Sequence, residues 1–390
     1  MSESIRNWEA PTSTGNHFAV LDGIRGVAIL MVVIFHAFYT NPDAGRLSQT
    51  AGLLIGGGVM GVPIFFVLSG FLISYPFFRQ KVRNPHLWWI PGYATRRAGK
   101  ILPPYFLALI IFTVYYCVRF SDTAYIKSAA QWALGLPNFI RSDGVGFQVP
   151  FWSLVVEMHF YLLTPVLFFL LRRLTARHSA VLLFLAFLAI PLIVRQLTWP
   201  DHAPSLLNIQ FSIVRFPCQM DYFCWGILFS FIFMSVFPLR DELRSLSILG
   251  YAGAILVITN LCMYALWTNA YNIPAHPTRW SVETLHLMSG FSAFLLLFLV
   301  FDPTCLATRI LSHPALRFVG IVSYEWYLFH QPVVHLFQET IGQTHGSFTV
   351  YILKTVTPLA LTFGFSVLVY HNFSLPLLNR IRGVKSHHAK

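Results

Sequence analysis

Three ionisable residues stand inside an otherwise apolar stretch near the N-terminus, "LDGIRGVAILMVVIFH": Asp22, Arg25 and His36. If the stretch is helical, each residue advances 100° and 1.5 Å, so eleven steps bring His36 back to within about 20° of Arg25 and about 16 Å further along the axis. Asp22 precedes Arg25 by three residues and falls close to the same stripe. The helix thus carries one polar seam through an apolar surface. Two readings of Asp22 and Arg25 stand open: an i, i+3 ion pair that locks helix packing, or part of a site. For His36 the chemical reading is stronger, because imidazole exchanges a proton near neutrality without help and serves as a general base.

Further polar seams recur elsewhere. In "FWSLVVEMHFYLLTP" Ser153, Glu157 and Tyr161 share a helix face at i, i+4, i+8. Glu157 is suited to orient a catalytic imidazole and steady its charged form; a structural carboxylate bonded to neighbouring helices is the competing reading. In "GIVSYEWYLFHQPV" Ser323, Tyr327 and His330 fall at i, i+4, i+7, again on one face. Ser69 and Gly70 of "FFVLSGFLIS" form a small pair that permits close helix approach. Residues 79–105 hold six Lys or Arg, among them Arg96, Arg97 and Lys100, and no acid. With Trp88, Trp89 and Tyr93 interleaved, this segment fits an anion: a lipid headgroup, or an adenine stacked on the rings with its phosphates on the cations. No glycine-rich phosphate loop accompanies it. Trp267, Tyr271 and Trp280 offer rings for sugar stacking, though an interfacial aromatic belt accounts for them equally. The five cysteines are scattered and lack metal-ligand spacing, so they read as packing residues and no metal is expected.

The elements that must position these groups follow from composition. Hydrophobic residues make up 56% of the 390, only 11% are charged, and mean hydropathy is +0.61. This is the profile of an all-α polytopic membrane protein. Windows of about 20 residues give ten expected spans, near 18–40, 57–78, 101–119, 151–171, 179–196, 219–237, 246–267, 284–302, 315–338 and 350–372, with 206–218 as a further interfacial piece. Placing the N-terminus inside puts 18 of the 27 Lys and Arg in inner segments and 8 in outer ones, the latter including Arg195 and Lys354. Both termini are therefore expected in the cytoplasm, and the net charge of +12 reflects topology rather than nucleic-acid binding. Seventeen residues precede the first span, whose charged core is unlike a cleaved signal. The expected organisation is a cytoplasmic segment at 1–17, one membrane domain at 18–376 and a basic tail at 377–390.

Taken in order, five motifs resemble the integral-membrane acyltransferase family 3: the Arg25–His36 spacing, "FFVLSGFLIS", "RRAGKILPPY", "FWSLVVEMHFYLLTP" and "SYEWYLFHQPV". The resemblance covers residues 18–376. It implies a membrane O-acyltransferase that moves an acyl group, commonly acetyl, from cytoplasmic acetyl-CoA or another acyl-CoA to a hydroxyl of a cell-surface glycan or lipid-linked saccharide in a bacterial inner membrane. It further implies that His36, Arg25 and Glu157 serve transfer and that Arg96, Arg97 and Lys100 face coenzyme A. Asp22, Ser69, Tyr161, Ser323, Tyr327 and His330 are then expected to line the substrate path. Ser69, Tyr327 or backbone N–H groups are the candidates for holding an oxyanion, and direct transfer or an acyl-histidine both remain open. Two departures stand out: Lys100 occupies the place of a third Arg in many relatives, and Ser374 that of a Glu. Many relatives also carry a soluble esterase-like domain beyond the last span, so a separate extracytoplasmic partner is expected here. On the residues alone, a proton-coupled transporter or flippase for a lipid-linked glycan or small anion competes with the enzyme.

Overall fold

The computed structural model describes residues 16–39, 55–83, 90–136, 150–199, 214–239, 241–270, 279–341 and 348–382, and among these every regular element is helical. In chain order the helices are α1 (Asn16–Ile34), α2 (Gly61–Arg83), α3 (Tyr93–Phe120), α4 (Ala124–Ala133), α5 (Phe151–Leu170), α6 (Ala176–Thr198) and α7 (Phe216–Val236). They continue as α8 (Ser247–Ala270), α9 (Arg279–Leu296), α10 (Leu306–Leu311), α11 (Pro314–Ile321), α12 (Ser323–Ile341), α13 (Phe348–Val369) and α14 (Leu375–Arg382). Helix α1 runs on into a π turn, Phe35–Tyr39, and α13 into a second, Tyr370–Ser374.

Nine helices among the described residues are long and apolar enough to cross a membrane. The chain is an all-α polytopic membrane protein. Nine of the expected spans coincide with them. The segment 315–338 differs: it is divided at Val322 into α11 and α12. Helix α12 carries Glu325, His330, Gln331, His335, Gln338 and Glu339, too polar a set for a lipid-facing span. The segment 206–213, Trp88, Trp89 and Tyr271, and the side chains of Trp267 and Trp280, lie outside the described residues.

The chain divides into two compact units. The first comprises 1–35, 47–90 and 157–321. Its centre is the crossing of α2 and α7, where Gly70 meets the Phe223 carbonyl and Gly226 meets that of Val67. A Cβ on either would collide with backbone, which cannot yield. Around this crossing Phe71 meets Phe229 and Phe233 edge-on at 5.0 and 5.3 Å, and Phe160 stacks on Phe223 at 4.2 Å. Lipid tails are as apolar as these rings, so packing contacts rather than water release hold the helices together. Ile248, Ile255 and Ile258 of α8 point outward, as a lipid-facing stripe requires.

The second unit comprises 36–46, 91–156 and 322–390. Hydrogen bonds stitch its helices where they meet. Trp326 Nε1 donates to Thr362 Oγ1 at 3.1 Å, and Tyr105 OH and Tyr324 OH donate to the carbonyls of Trp132 and Ile101 at 2.9 and 2.7 Å. Phe329 sets its edge on Phe365 at 4.9 Å.

Candidate functional site

His36 sits in the π turn at the end of α1, not in the regular helix assumed for the Arg25–His36 spacing. A π turn widens the helix by one residue and frees carbonyls from their usual partners. Gln338 of α12 takes up that slack: its Nε2 lies 3.4 Å from the His36 carbonyl and 3.3 Å from that of Ala37.

Beside His36 lies His330, fully buried. Its Nδ1 is 3.1 Å from the Trp326 carbonyl and 2.9 Å from that of Tyr327, and its Nε2 is 3.2 Å from His36 Nδ1. Carbonyls only accept, so His330 Nδ1 carries a hydrogen. In a neutral imidazole the other nitrogen then accepts, which makes His36 Nδ1 the donor between the two rings. The network thereby assigns His36 its tautomer: Nδ1–H toward His330, and an unprotonated Nε2. That is the form a general base needs.

Tyr327, one turn from Ser323 and also buried, pairs its hydroxyl with Ser153 Oγ at 2.6 Å. Ser153 Oγ in turn reaches the Pro150 carbonyl at 3.3 Å. Ser153 therefore belongs to this cluster in the second unit. Ser323 is buried on the same helix.

In the first unit Glu157 Oε1 accepts from two hydroxyls, Ser69 Oγ and Tyr161 OH, both in short contacts. The shared face of Glu157 and Tyr161 is thus realised as a hydrogen bond. With its proton on Glu157, Ser69 has none left for an oxyanion. Asp22 and Arg25 are half-buried in α1. The backbone carbonyl of Asp22 packs against Gly320, so close that a Cβ there would clash.

Arg96, Arg97 and Lys100 precede the span expected from 101, but the structure starts the helix earlier and places them in the first two turns of α3. Gly92, with φ +68, turns the chain into this helix. A helix N-terminus already carries partial positive charge, and three cations with no acid add to it in the first two turns. Lys81 of the same basic stretch is withdrawn from it: it is buried and caps α5 through the Leu171 carbonyl at 2.6 Å.

Two cations counted among outer segments also prove to be buried in helices, Lys354 in α13 and Arg195 in α6. Arg195 anchors a network that the sequence reading missed. Its Nη2 meets Asp221 Oδ2 at 2.8 Å and Glu283 Oε2 at 2.6 Å, Nε lies 3.0–3.1 Å from both Glu283 oxygens, and Nη1 reaches His286 Nδ1 at 3.1 Å and the Cys218 carbonyl. Glu283 and His286, spaced i, i+3 inside an apolar run, were the available signal. At Ser374, in the π turn that follows α13, Oγ is buried without a hydrogen-bond partner.

Residues 18–371 match the family model described as an acyltransferase domain, Acyl_transf_3. The chain belongs to acyltransferase family 3. Among curated members it is 24% identical over 94% of its length to "Peptidoglycan O-acetyltransferase OatA" of Listeria monocytogenes, of which it spans 57%. It is likewise 24% identical over 86% of its length to "O-acetyltransferase OatA" of Staphylococcus aureus, of which it spans 53%. The chain thus covers little more than half of these family members' length. No solved structure matches it.

Proposed function

We propose that this family 3 member is a membrane O-acetyltransferase that moves an acetyl group from cytoplasmic acetyl-CoA to a hydroxyl of a cell-surface glycan. The observation that carries the reading is the His330–His36 hydrogen bond, which puts the His36 proton on Nδ1 and so leaves Nε2 unprotonated. The names of the relatives supply the chemistry for which such a base is needed.

In this mechanism the cations at the start of α3 hold the phosphates of coenzyme A at the inner face, and the thioester reaches inward past Arg25. His36 Nε2 takes the proton of the acceptor hydroxyl as its oxygen bonds to the thioester carbonyl carbon. The tetrahedral intermediate collapses, the C–S bond breaks, and the imidazolium returns its proton to the departing thiolate. The product is an ester and free coenzyme A. The orienting role expected of Glu157 passes to His330, whose Nε2 receives His36 Nδ1–H and steadies the imidazolium. Glu157, holding Ser69 and Tyr161, orders the neighbouring helices. Ser69 donates to Glu157, and with Ser153 Oγ donating to the Pro150 carbonyl the Tyr327 hydroxyl donates to Ser153, so backbone N–H groups remain the best candidates for the oxyanion. The membrane domain extends over 18–376 with both termini cytoplasmic, in a bacterial inner membrane, and a separate extracytoplasmic partner hands on the acceptor.

A transport reading draws on the buried Arg195 network, since intramembrane charges line many ion and substrate paths. One experiment separates the two. Purified protein in liposomes receives radiolabelled acetyl-CoA and a crude envelope glycan extract. Label on glycan with wild type and none with His36→Ala supports the enzyme; glycan movement across the bilayer without label overturns it.

A further inference from the structure

Beyond the histidine pair, the second unit contains a cavity of about 60 Å³, open on one side, between the C-terminal ends of α3 and α12 and the start of α4. Its floor is aromatic. Tyr116, Phe120 and Tyr125 lie with centroids 5.2–5.9 Å apart and ring planes within 25° of one another, like tiles. Tyr115 stands on edge beside them at 5.1 Å and 71°. Tyr116 and Tyr125 are buried, while Phe120, also a lining residue, is 48% exposed. Over this floor α12 places His335 and Glu339, one turn apart. Gln331 Nε2 lies 3.4 Å from His335 Nε2, and Arg119 caps the Phe120 ring from 5.4 Å.

We propose that this cleft is the acceptor subsite and that it takes an uncharged pyranose of a hydroxyl-rich saccharide. Several features select that class. The cavity is too small to enclose a sugar ring but suits one face of it. The axial C–H groups of a pyranose are apolar and slightly positive, and they pack on the negative faces of aromatic rings. Its equatorial hydroxyls then project sideways, toward acceptors such as the Glu339 carboxylate and the imidazole of His335. A belt of interfacial aromatics explains rings at helix ends, but it does not call for a carboxylate and an imidazole above three parallel rings. An acyl chain would gain nothing from those two polar groups, and Glu339 disfavours a carboxylate on the α12 side of the cleft.

The position fits the reaction. His330 and Gln338, which hold His36, lie on the same helix as His335 and Glu339. Along α12 the cleft residues stand about 7.5–13.5 Å beyond His330, a span that a short oligosaccharide bridges with one hydroxyl at His36. This inference rests on the proposed transferase reading for its purpose, although binding itself does not depend on turnover.

The test measures binding directly. The full chain in nanodiscs of phosphatidylethanolamine and phosphatidylglycerol receives a β-1,4-linked N-acetylglucosamine tetramer as probe. Saturation is transferred from aromatic protein protons to the sugar. Wild type and His36→Ala should both pass saturation to the axial sugar protons. Phe120→Ala should lower the signal at least fivefold, and Phe120→Trp should restore it. Glu339→Gln should weaken the apparent affinity about tenfold, as loss of a charged acceptor does. Both positions are exposed, so either change leaves the helix core intact. No saturation in wild type, a signal indifferent to Phe120→Ala, or saturation passing instead to lipid chains in a Phe120-dependent way would each overturn the subsite. Binding at the cleft without any acetyl transfer by wild type would instead sink the transferase reading and leave the cleft standing as a saccharide site without its acceptor role.

Discussion

The chemistry of a histidine depends on which nitrogen holds the proton, and here that is decided by a second histidine. His330 is pinned by two backbone carbonyls, so its Nε2 accepts from His36 Nδ1, and the unprotonated Nε2 of His36 is the base in the proposed mechanism. Replacing His330 with Phe preserves volume and removes the acceptor. The expected outcome is a fall in kcat on the order of 10²-fold, within the range that positioned general bases contribute, with KM for acetyl-CoA little changed. Steady-state kinetics with varied donor checks this. Were KM to rise in step with the loss in kcat/KM while kcat held, His330 would serve binding instead.

Individual helices are held by two kinds of contact that differ in tolerance. At the α2–α7 crossing the glycines face backbone, so no side chain can be admitted without separating the helices. In the Arg195 network α6, α7 and α9 are joined by charges that compensate one another out of water. Removing the guanidinium strands Asp221 and Glu283, so Arg195→Met is expected to destabilise the first unit by about 3–5 kcal/mol. Thermal unfolding in detergent reads this directly. The triple change Arg195→Met, Asp221→Leu, Glu283→Leu should recover much of the loss, because no buried charge is then left alone. If the triple variant transferred no better than the single one while refolding fully, the network would hold a functional role as well. Helix α3 presents a third case. Its basic start gains from an anion, so Arg96→Gln combined with Arg97→Gln should raise KM for acetyl-CoA about tenfold and flatten its salt dependence.

At the scale of the whole chain, the distribution of charge governs orientation. Moving Lys81, Arg195 and Lys354 from loops to buried positions removes two cations from the outer tally and one from the inner, which sharpens the inside excess. Cysteine placed at Arg380, an exposed position on α14, should react with an impermeant maleimide only after the membrane is opened. Cysteine at Lys127, exposed on α4, should react in intact cells. The reverse pattern would invert the topology and with it the side from which the donor arrives.

The sequence by itself determined the class of the protein, nine of its spans, the polar seams and the family motifs, because lipid enforces long apolar runs and makes every interruption conspicuous. The i, i+4 spacing of Glu157 and Tyr161 was likewise legible, since helical periodicity is local. Only the tertiary structure decided which polar groups meet. Ser153 left the Glu157 face for Tyr327, His330 became the partner of His36, Gln338 was drawn to the π turn, and Arg195 found acids 26 and 88 residues away. The physical reason is that periodicity reports which face of a helix is polar but not which neighbour that face meets. Hydrogen bonds between distant helices, unlike burial in lipid, leave no period in the chain.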